Sequence, residues 1–415
     1  MTDTVYILGT CDTKHAELAY IRQCLHARGV TGLIVDVSTR GTAADADADA
    51  DADINARTVA ACHPDGENAV FRGERGRSIG AMAVALHHYL RARTDMAGVI
   101  AIGGSGGTAL VTPALQALPL GLPKLVVSTV ASGNTAPYVG GADIAMLYSV
   151  TDMEGLNRLS RIILCNAANA MAGMVRTPCH VSPDPRPAIG LTMFGVTTPC
   201  VDRVVHDLSG RFDCLVFHAT GTGGRAMERL ADDGVIRGFI DATLTEFCDL
   251  VAGGIFPCDT DRLGAVIRTR HPYVGSCGGL DMVNFGARAT VPERYRDRVL
   301  VEHNPQITLM RTSAAECRAM GHMIGHRLNC CEGEVRFLYP EGGFSMLDQP
   351  GAPFHDPVAD EAFYAALSET LDQTPRRRLI RLPHAINDPA FADALAHEFS
   401  RIFMKDTDNA QHSPQ

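Results

Sequence analysis

Lysine is scarce in this chain: Lys14, Lys124 and Lys405 are the whole supply, and arginine carries the rest of its 37 basic residues. Lys14 closes the loop "GTCDTK", directly after an apolar run and beside Gly9, Thr10, Asp12 and Thr13. An ammonium next to a glycine that lets backbone amides come close suits an anionic ligand. A second loop of the same character, "GGSGGT", comprises Gly103, Gly104, Ser105, Gly106, Gly107 and Thr108 and follows the apolar "VIAI". Glycines at a strand end, running into a helix start, suit phosphate held by backbone N–H groups. No Gly-Lys dipeptide occurs anywhere, so this is not a Walker loop. It is also a poor dinucleotide fingerprint, because no acidic residue ends a strand about 20 residues further on. "STVASGNT", with Ser128, Thr129 and Gly133, and "FRGERGRS", with Arg75 and Arg77, complete the candidate loops of the first half.

The second half offers a different chemistry. "FHATGTGGRAME" places His218 before a loop of Gly221, Thr222, Gly223 and Gly224, with Arg225 at a helix start, a candidate substrate loop. Glu246, Asp281 and His303, together with Asp241, follow other apolar runs. Histidine and carboxylates at neighbouring strand ends are the ingredients of general acid and base catalysis, so His218, Glu246, Asp281 and His303 are the candidate catalytic residues. His322 and His326 have metal-pair spacing, but a helical wheel sets them opposite the apolar stripe Cys317, Met320, Ile324 and Leu328, facing solvent. Cys277, in a glycine loop, has no basic partner nearby in sequence to make it a nucleophile.

These loops need elements to position them. Short, unbroken apolar runs alternate with helical patterns: residues 5–10, 32–38, 98–104, 124–130 and 143–149 in the first half, and 188–194, 214–220, 238–243, 273–278, 298–304, 335–340 and 378–383 in the second. That rhythm predicts parallel sheets covered by helices on both faces. The proline-rich stretch around 179–187 predicts a linker between a unit at 1–178 and a second at 188–415, giving an α/β protein of two tandem Rossmann-like subdomains. Three helix starts carry a capping-box pattern: Thr151 with Glu154, Thr243 with Glu246, and Ser313 with Glu316. The alternating Ala-Asp run at residues 45–53 reads as a solvated loop, since both residues are poor strand formers and the charges repel.

A net charge of −10 with no long basic run argues against nucleic acid or an anionic membrane as partner. No apolar run reaches the ~18 residues of a membrane span. An odd count of 13 cysteines in apolar segments, with no leader-like start, reads as reduced thiols in the cytoplasm.

The motifs "ILGTCDTK", "AIGGSGGT", "TVASGNTAPYVGGADIAMLYSVTD", "FHATGTGGRAME", "GSCGGLDMVNFG" and "EHNPQITLMRT" together resemble the Tm-one-like ATP-binding domain family, over nearly the whole chain. The resemblance implies ATP in the first subdomain, held by the Gly9–Lys14 and Gly103–Thr108 loops and the 128–135 segment, with Arg75 or Arg77 as a phosphate clamp. It also implies a homodimer. Whether magnesium accompanies the nucleotide stays open, between Asp12 as its ligand, the phosphates alone, or no magnesium at all. A plant relative carries a further barrel domain that this chain lacks, so a separate barrel-domain protein is an expected partner. Taken together, the sequence points to an ATP-binding enzyme acting on a small anionic metabolite between the two halves, or to a nucleotide-dependent protein-binding module.

Overall fold

The computed structural model describes residues 4–40, 52–177 and 184–411; most of the Ala-Asp run and the first part of the proline-rich stretch lie outside them. The chain divides into two compact units, Met1–Ser182 and Pro183–Gln415.

The first unit runs β1 (Thr4–Gly9), α1 (Cys11–His26), β2 (Thr31–Asp36), α2 (Ala56–Ala60), α3 (Arg75–Arg91), β3 (Gly98–Gly103), α4 (Ser105–Gln116), β4 (Lys124–Ser128), α5 (Ala136–Val139), β5 (Ala145–Tyr148) and α6 (Arg158–Arg176). Its sheet is parallel throughout, in the order β2-β1-β3-β4-β5. Every residue of β3 and β4 is buried, because helices cover both faces, which is why these strands read as continuous apolar runs. One apolar layer, built on Leu8, Val99 and Val126, packs under α3 and α4; the other, built on Ile7, Ile100 and Val127, packs under α1 and α6.

The second unit runs β6 (Ala188–Met193), α7 (Thr198–Leu208), β7 (Asp213–His218), α8 (Gly221–Asp232), β8 (Ile236–Thr243), α9 (Glu246–Ala252), α10 (Gly264–Thr269), β9 (Tyr273–Gly278), β10 (Met282–Phe285), β11 (Leu300–Asn304) and β12 (Ile307–Arg311). It continues with α11 (Ala314–Asn329), β13 (Val335–Pro340), α12 (Pro357–Thr370), β14 (Arg377–Leu382) and α13 (Pro389–Gln411). Six of the strands form a parallel sheet in the order β14-β13-β9-β8-β6-β7. Both large sheets therefore share one topology. In each, the first strand lies between the second and the third, so the chain reverses its winding direction there and opens a crevice beyond the carboxyl ends of the first and third strands.

Two sequence expectations change. The run at 298–304 is not part of the parallel sheet: β11 pairs antiparallel with β12, and β12 with β10, in a separate three-stranded sheet inserted between β9 and β13. Of the three capping boxes, only Ser313 with Glu316 forms, their side chains satisfying each other's backbone N–H groups. The helix expected after Thr151 begins instead at Arg158, where Asn157 and Ser160 make the reciprocal pair. Thr243 is the last residue of β8, and its hydroxyl bonds Thr197, not the start of α9. No helix among the described residues is long and apolar enough to cross a membrane.

Candidate functional site

In the first unit, the loops leaving β1 and β3 stand on either side of the reversal point, since Leu8 and Ala101 pair across the two strands. Gly9 is small because a Cβ there would come within 2.8 Å of Leu18, which α1 lays against the strand end. Asp36, at the end of β2, accepts the Cys11 N–H at 2.8 Å and the Ser38 N–H at 2.9 Å, fixing the first turn of α1 from the neighbouring strand. Burial raises its pKa, opposed by these bonds. Thr10 and Thr13 share a 2.8 Å hydroxyl contact. Lys14 leaves helical geometry and donates its ammonium to the Met153 carbonyl, in the segment between β5 and α6. Asp12 donates its backbone N–H to Ser38 and holds a buried Oδ1 that has no hydrogen-bond partner.

Across the crevice, Gly103 is obligatory: a Cβ there would lie 2.9 Å from the Thr108 nitrogen. The strand consequently turns into α4 at once. The first turn of α4 has no side-chain cap and no acidic residue, which leaves the N–H groups of Ser105, Gly106 and Gly107 without helical partners at the positive end of the helix dipole. Thr108 bonds back to the Gly104 carbonyl at 2.8 Å and to Ser128, at the end of β4, at 2.6 Å. Thr129 lies beside Gly104, while Gly133 follows the short turn at Thr129–Ser132 and bonds the Val130 carbonyl. Arg75, the first residue of α3, brings its Nη2 to 3.8 Å from the position a Gly106 Cβ would take. Arg77 is elsewhere engaged, in an exposed pair with Glu74 at 3.2 Å. The structure thus gathers Arg75, Gly103–Thr108, Ser128 and Thr129 beside the loop that Lys14 closes.

Next to that loop the backbone is strained. Val150 takes φ of +61°, a left-handed value that a β-branched side chain disfavours, and the Thr151 N–H reaches back to the Ser149 carbonyl at 2.7 Å. Strain of this kind concentrates at ligand sites. Sequence reasoning missed Val150 and Asp36; an aspartate ending the apolar run "GLIVD" was the available signal for the latter.

The second unit does not bring its four candidate catalytic residues together. His218 stacks on Phe194 with ring centroids 4.9 Å apart, and partial burial lowers its pKa. His303 lies exposed on β11 of the inserted sheet. Glu246 and Asp281 are both completely buried. Glu246 is paired with Arg262, whose guanidinium also binds Glu228 at 2.8 Å and Asp241 at 2.7 Å. Burial pushes Glu246 up to about 7 against the opposing pull of Arg262. Asp281 accepts the Ser345 hydroxyl at 2.7 Å, and burial with Asp348 nearby raises its pKa. The glycines at the start of α8 are explained by close packing. A Cβ at Gly221 would sit 1.8 Å from the Pro257 carbonyl oxygen, one at Gly223 1.9 Å from that of His218, and one at Gly224 2.6 Å from Glu246. Thr222 lies in the first turn of α8, and Arg225 folds back onto the Gly221 carbonyl at 3.1 Å.

His322 is not solvent-facing as its wheel position suggests: its Nδ1 meets the Thr370 hydroxyl at 2.7 Å, while His326 is exposed. Among the described residues no group of three or more His, Cys, Asp or Glu is placed to hold a metal ion. Cys277 is wholly buried, which drives its thiol pKa well up and makes it inert.

These buried acids have a consequence for stability. Burial raises Glu246 and Asp249 each to about 7, above their ordinary carboxylate values, and raises Asp281 and Asp360 as well. A carboxyl whose folded pKa is raised favours the fold below its unfolded pKa and loses that contribution as pH climbs through the folded one. Chemical denaturation should therefore show the second unit losing stability between about pH 4 and 8, at about 1.4 kcal/mol per unit of pKa difference retained. A flat or rising profile would contradict these protonation states.

The fold and its crevices define a doubly wound α/β protein of two units with the same strand order, the first presenting an uncapped helix start between glycine loops. Family models place it more narrowly. The N-terminal domain of the uncharacterised protein family UPF0261 matches residues 3–180 and that family's C-terminal domain matches residues 186–403, so the chain belongs to the UPF0261 family. It is 54% identical over 399 residues to a UPF0261 protein of Rhizobium meliloti (strain 1021), covering 96% of this chain and 98% of that one. It is 38% identical over 410 residues to a UPF0261 protein of Clostridium tetani, covering 98% and 100%. It is also 40% identical over 424 residues to the ToMV resistance protein Tm-1 of Solanum lycopersicum, covering 97% of this chain and 56% of the tomato protein.

Proposed function

We propose that the first unit binds ATP, with its phosphates at the start of α4. The observation that carries this reading is the uncapped, acid-free first turn at Ser105–Gly107 with the Arg75 guanidinium beside it. Such a turn satisfies its orphan N–H groups with phosphate oxygens, and Arg75 adds charge-assisted bonds. Lys14 and the hydroxyls of Thr10, Thr13 and Thr129 border the same crevice. Asp12, with its unpartnered Oδ1, is the carboxylate available to magnesium accompanying the phosphates. Calorimetric titration with ATP and magnesium tests the reading: Arg75→Ala should weaken binding about tenfold, the worth of one charge-assisted contact. Unchanged affinity would remove Arg75 from the site.

On this reading the protein acts in the cytoplasm, where cysteines stay reduced. The exposed apolar side chains Leu159, Ile162 and Met174 along α6 support self-association as a homodimer. A separate barrel-domain protein stays part of the proposal as a partner. The enzymatic form of the reading, with a small anionic metabolite as substrate, rests on His218 as the accessible acid or base. The second form is a nucleotide-dependent protein-binding module. It is favoured by the locking of Glu246 and Asp281 inside buried clusters, and by the similarity to a protein named for ToMV resistance. His218→Ala separates them: it abolishes turnover in an enzyme and leaves a binding module's ATP affinity and partner binding intact.

A further inference from the structure

Two thiols face each other where α1 and α6 pack against one another on the first sheet. Tyr20 and Cys24 stand one turn apart on α1, with Arg28 just past its end; Arg161, Cys165 and Asn169 stand one turn apart on α6. The two rows meet rung by rung. The Arg161 guanidinium lies over the Tyr20 ring at 5.1 Å, and one turn further on the Cys24 thiol meets the Cys165 thiol, beside the Tyr20 hydroxyl. Arg28 closes the ladder. Its Nη1 bonds the Cys24 carbonyl at 2.8 Å and its Nη2 reaches the Cys165 sulfur at 3.6 Å, so one guanidinium ties the two cysteines together. Asn169 adds a longer contact to the same sulfur, at 3.9 Å.

The two cysteines differ in access. Cys24 is 7% exposed, inside the apolar layer, and burial with Cys165 nearby raises its pKa, so it stays a thiol. Cys165 is partly exposed and receives both donors. Donors aimed at a sulfur steady the negative charge of a thiolate, and an arginine beside the pair repels a metal cation from it. An accessible cysteine in contact with a buried second thiol has the form of an attacking and a resolving partner.

We propose that Cys165 and Cys24 form a peroxide-sensitive dithiol, oxidised reversibly to a disulfide that links α6 to α1, with Arg28 steadying the attacking sulfur. The Cys165 thiolate attacks hydrogen peroxide: the O–O bond breaks, an S–O bond forms, and the departing hydroxide takes up a proton and leaves as water. Cys24 then attacks the Cys165 sulfenic acid and gives up its thiol proton; the S–O bond breaks, the S–S bond forms, and a second water leaves. Two thiols are oxidised and one peroxide is reduced. In a reducing compartment such a bond is transient, and exchange with small thiols restores the pair. The assignment rests on these side chains alone and is independent of the nucleotide reading.

The test exposes the reduced full chain to hydrogen peroxide, alkylates the remaining thiols after unfolding, and maps the peptides by mass spectrometry without reduction. A linked Cys24–Cys165 peptide pair should form before Cys62 or the exposed Cys330 is oxidised, and dithiothreitol should release it. In Cys24→Ser the Cys165 sulfenic acid should persist and be captured by dimedone, while in Cys165→Ser the Cys24 thiol should remain open to alkylation. Arg28→Met should slow the linkage about tenfold, the worth of one charge-assisted contact. Thermal melts of the reduced variants check their folds, and the wild-type map stands as the test should one of them fail. Absence of the linked pair in wild type, oxidation of Cys62 or Cys330 ahead of it, dimedone capture at Cys24 in Cys165→Ser, or an unchanged rate in folded Arg28→Met would each overturn the assignment.

Discussion

Replacing Arg262 with methionine should cost the second unit about 3–5 kcal/mol of stability, the range for removing one partner of a buried ion pair. Arg262 is 3% exposed and holds Glu228, Asp241 and Glu246, so its loss leaves three buried carboxylates without a counter-charge. The network has little reserve, because Glu246 Oε2 already lacks a partner. Glu228 also accepts the N–H groups of Leu263, at 2.7 Å, and Ala265, pinning a turn in which Leu263 sits at φ of +71°. Removing the guanidinium loosens that turn as well. The variant should recover part of the loss toward pH 5, where Glu246, freed of the opposing guanidinium, is protonated, and lose more toward pH 8. Urea unfolding at both pH values measures this; a loss below about 1 kcal/mol, typical of an exposed pair, would show the cluster to be dispensable.

The second large effect is on binding, not folding. Gly106→Asp should abolish ATP binding, by about 100-fold or more, while stability stays the same or rises by about 0.3–1 kcal/mol. A Cβ at Gly106 has room, with its nearest neighbours 3.6 Å away at Ile79 and 3.8 Å at Arg75. An aspartate in the first helical turn satisfies the same N–H groups and dipole that the phosphates are proposed to use, and it pairs with Arg75. The substitution thus occupies the site from within. Retained stability separates this outcome from misfolding, and ATP affinity within about threefold of wild type would place the phosphates elsewhere.

The strands that carry the candidate loops were legible because full burial writes them as continuous apolar runs, as in "GVIAIG" and "KLVVS". Their order was not. The placement of β1 between β2 and β3 depends on pairings that no local pattern encodes, and the same holds for β6. The strand run at 298–304 had the right composition but the wrong sheet, because apolar content alone does not distinguish an antiparallel edge from a parallel strand. Capping was legible at Ser313 and Glu316, which keep their reciprocal backbone bonds although Arg298 also binds Glu316, and misleading at Thr243 and Glu246, where tertiary partners claimed both side chains. Arg262 and Arg311 left no local signal at all. A buried arginine becomes recognisable only when distant carboxylates converge on it. The glycines of "GTGG" show the opposite limit: their spacing suits phosphate, yet backbone packing against Pro257 and His218 accounts for Gly221 and Gly223.

The most direct measurement of the central claim is an isothermal titration of ATP with magnesium into the wild-type chain and into Gly106→Asp, run in parallel. The account predicts saturable binding at one site per chain in the wild type and none in the variant, with matching thermal melts in the absence of nucleotide. Absence of heat and of thermal shift with millimolar ATP in the wild type, or equal binding by both proteins, would contradict it.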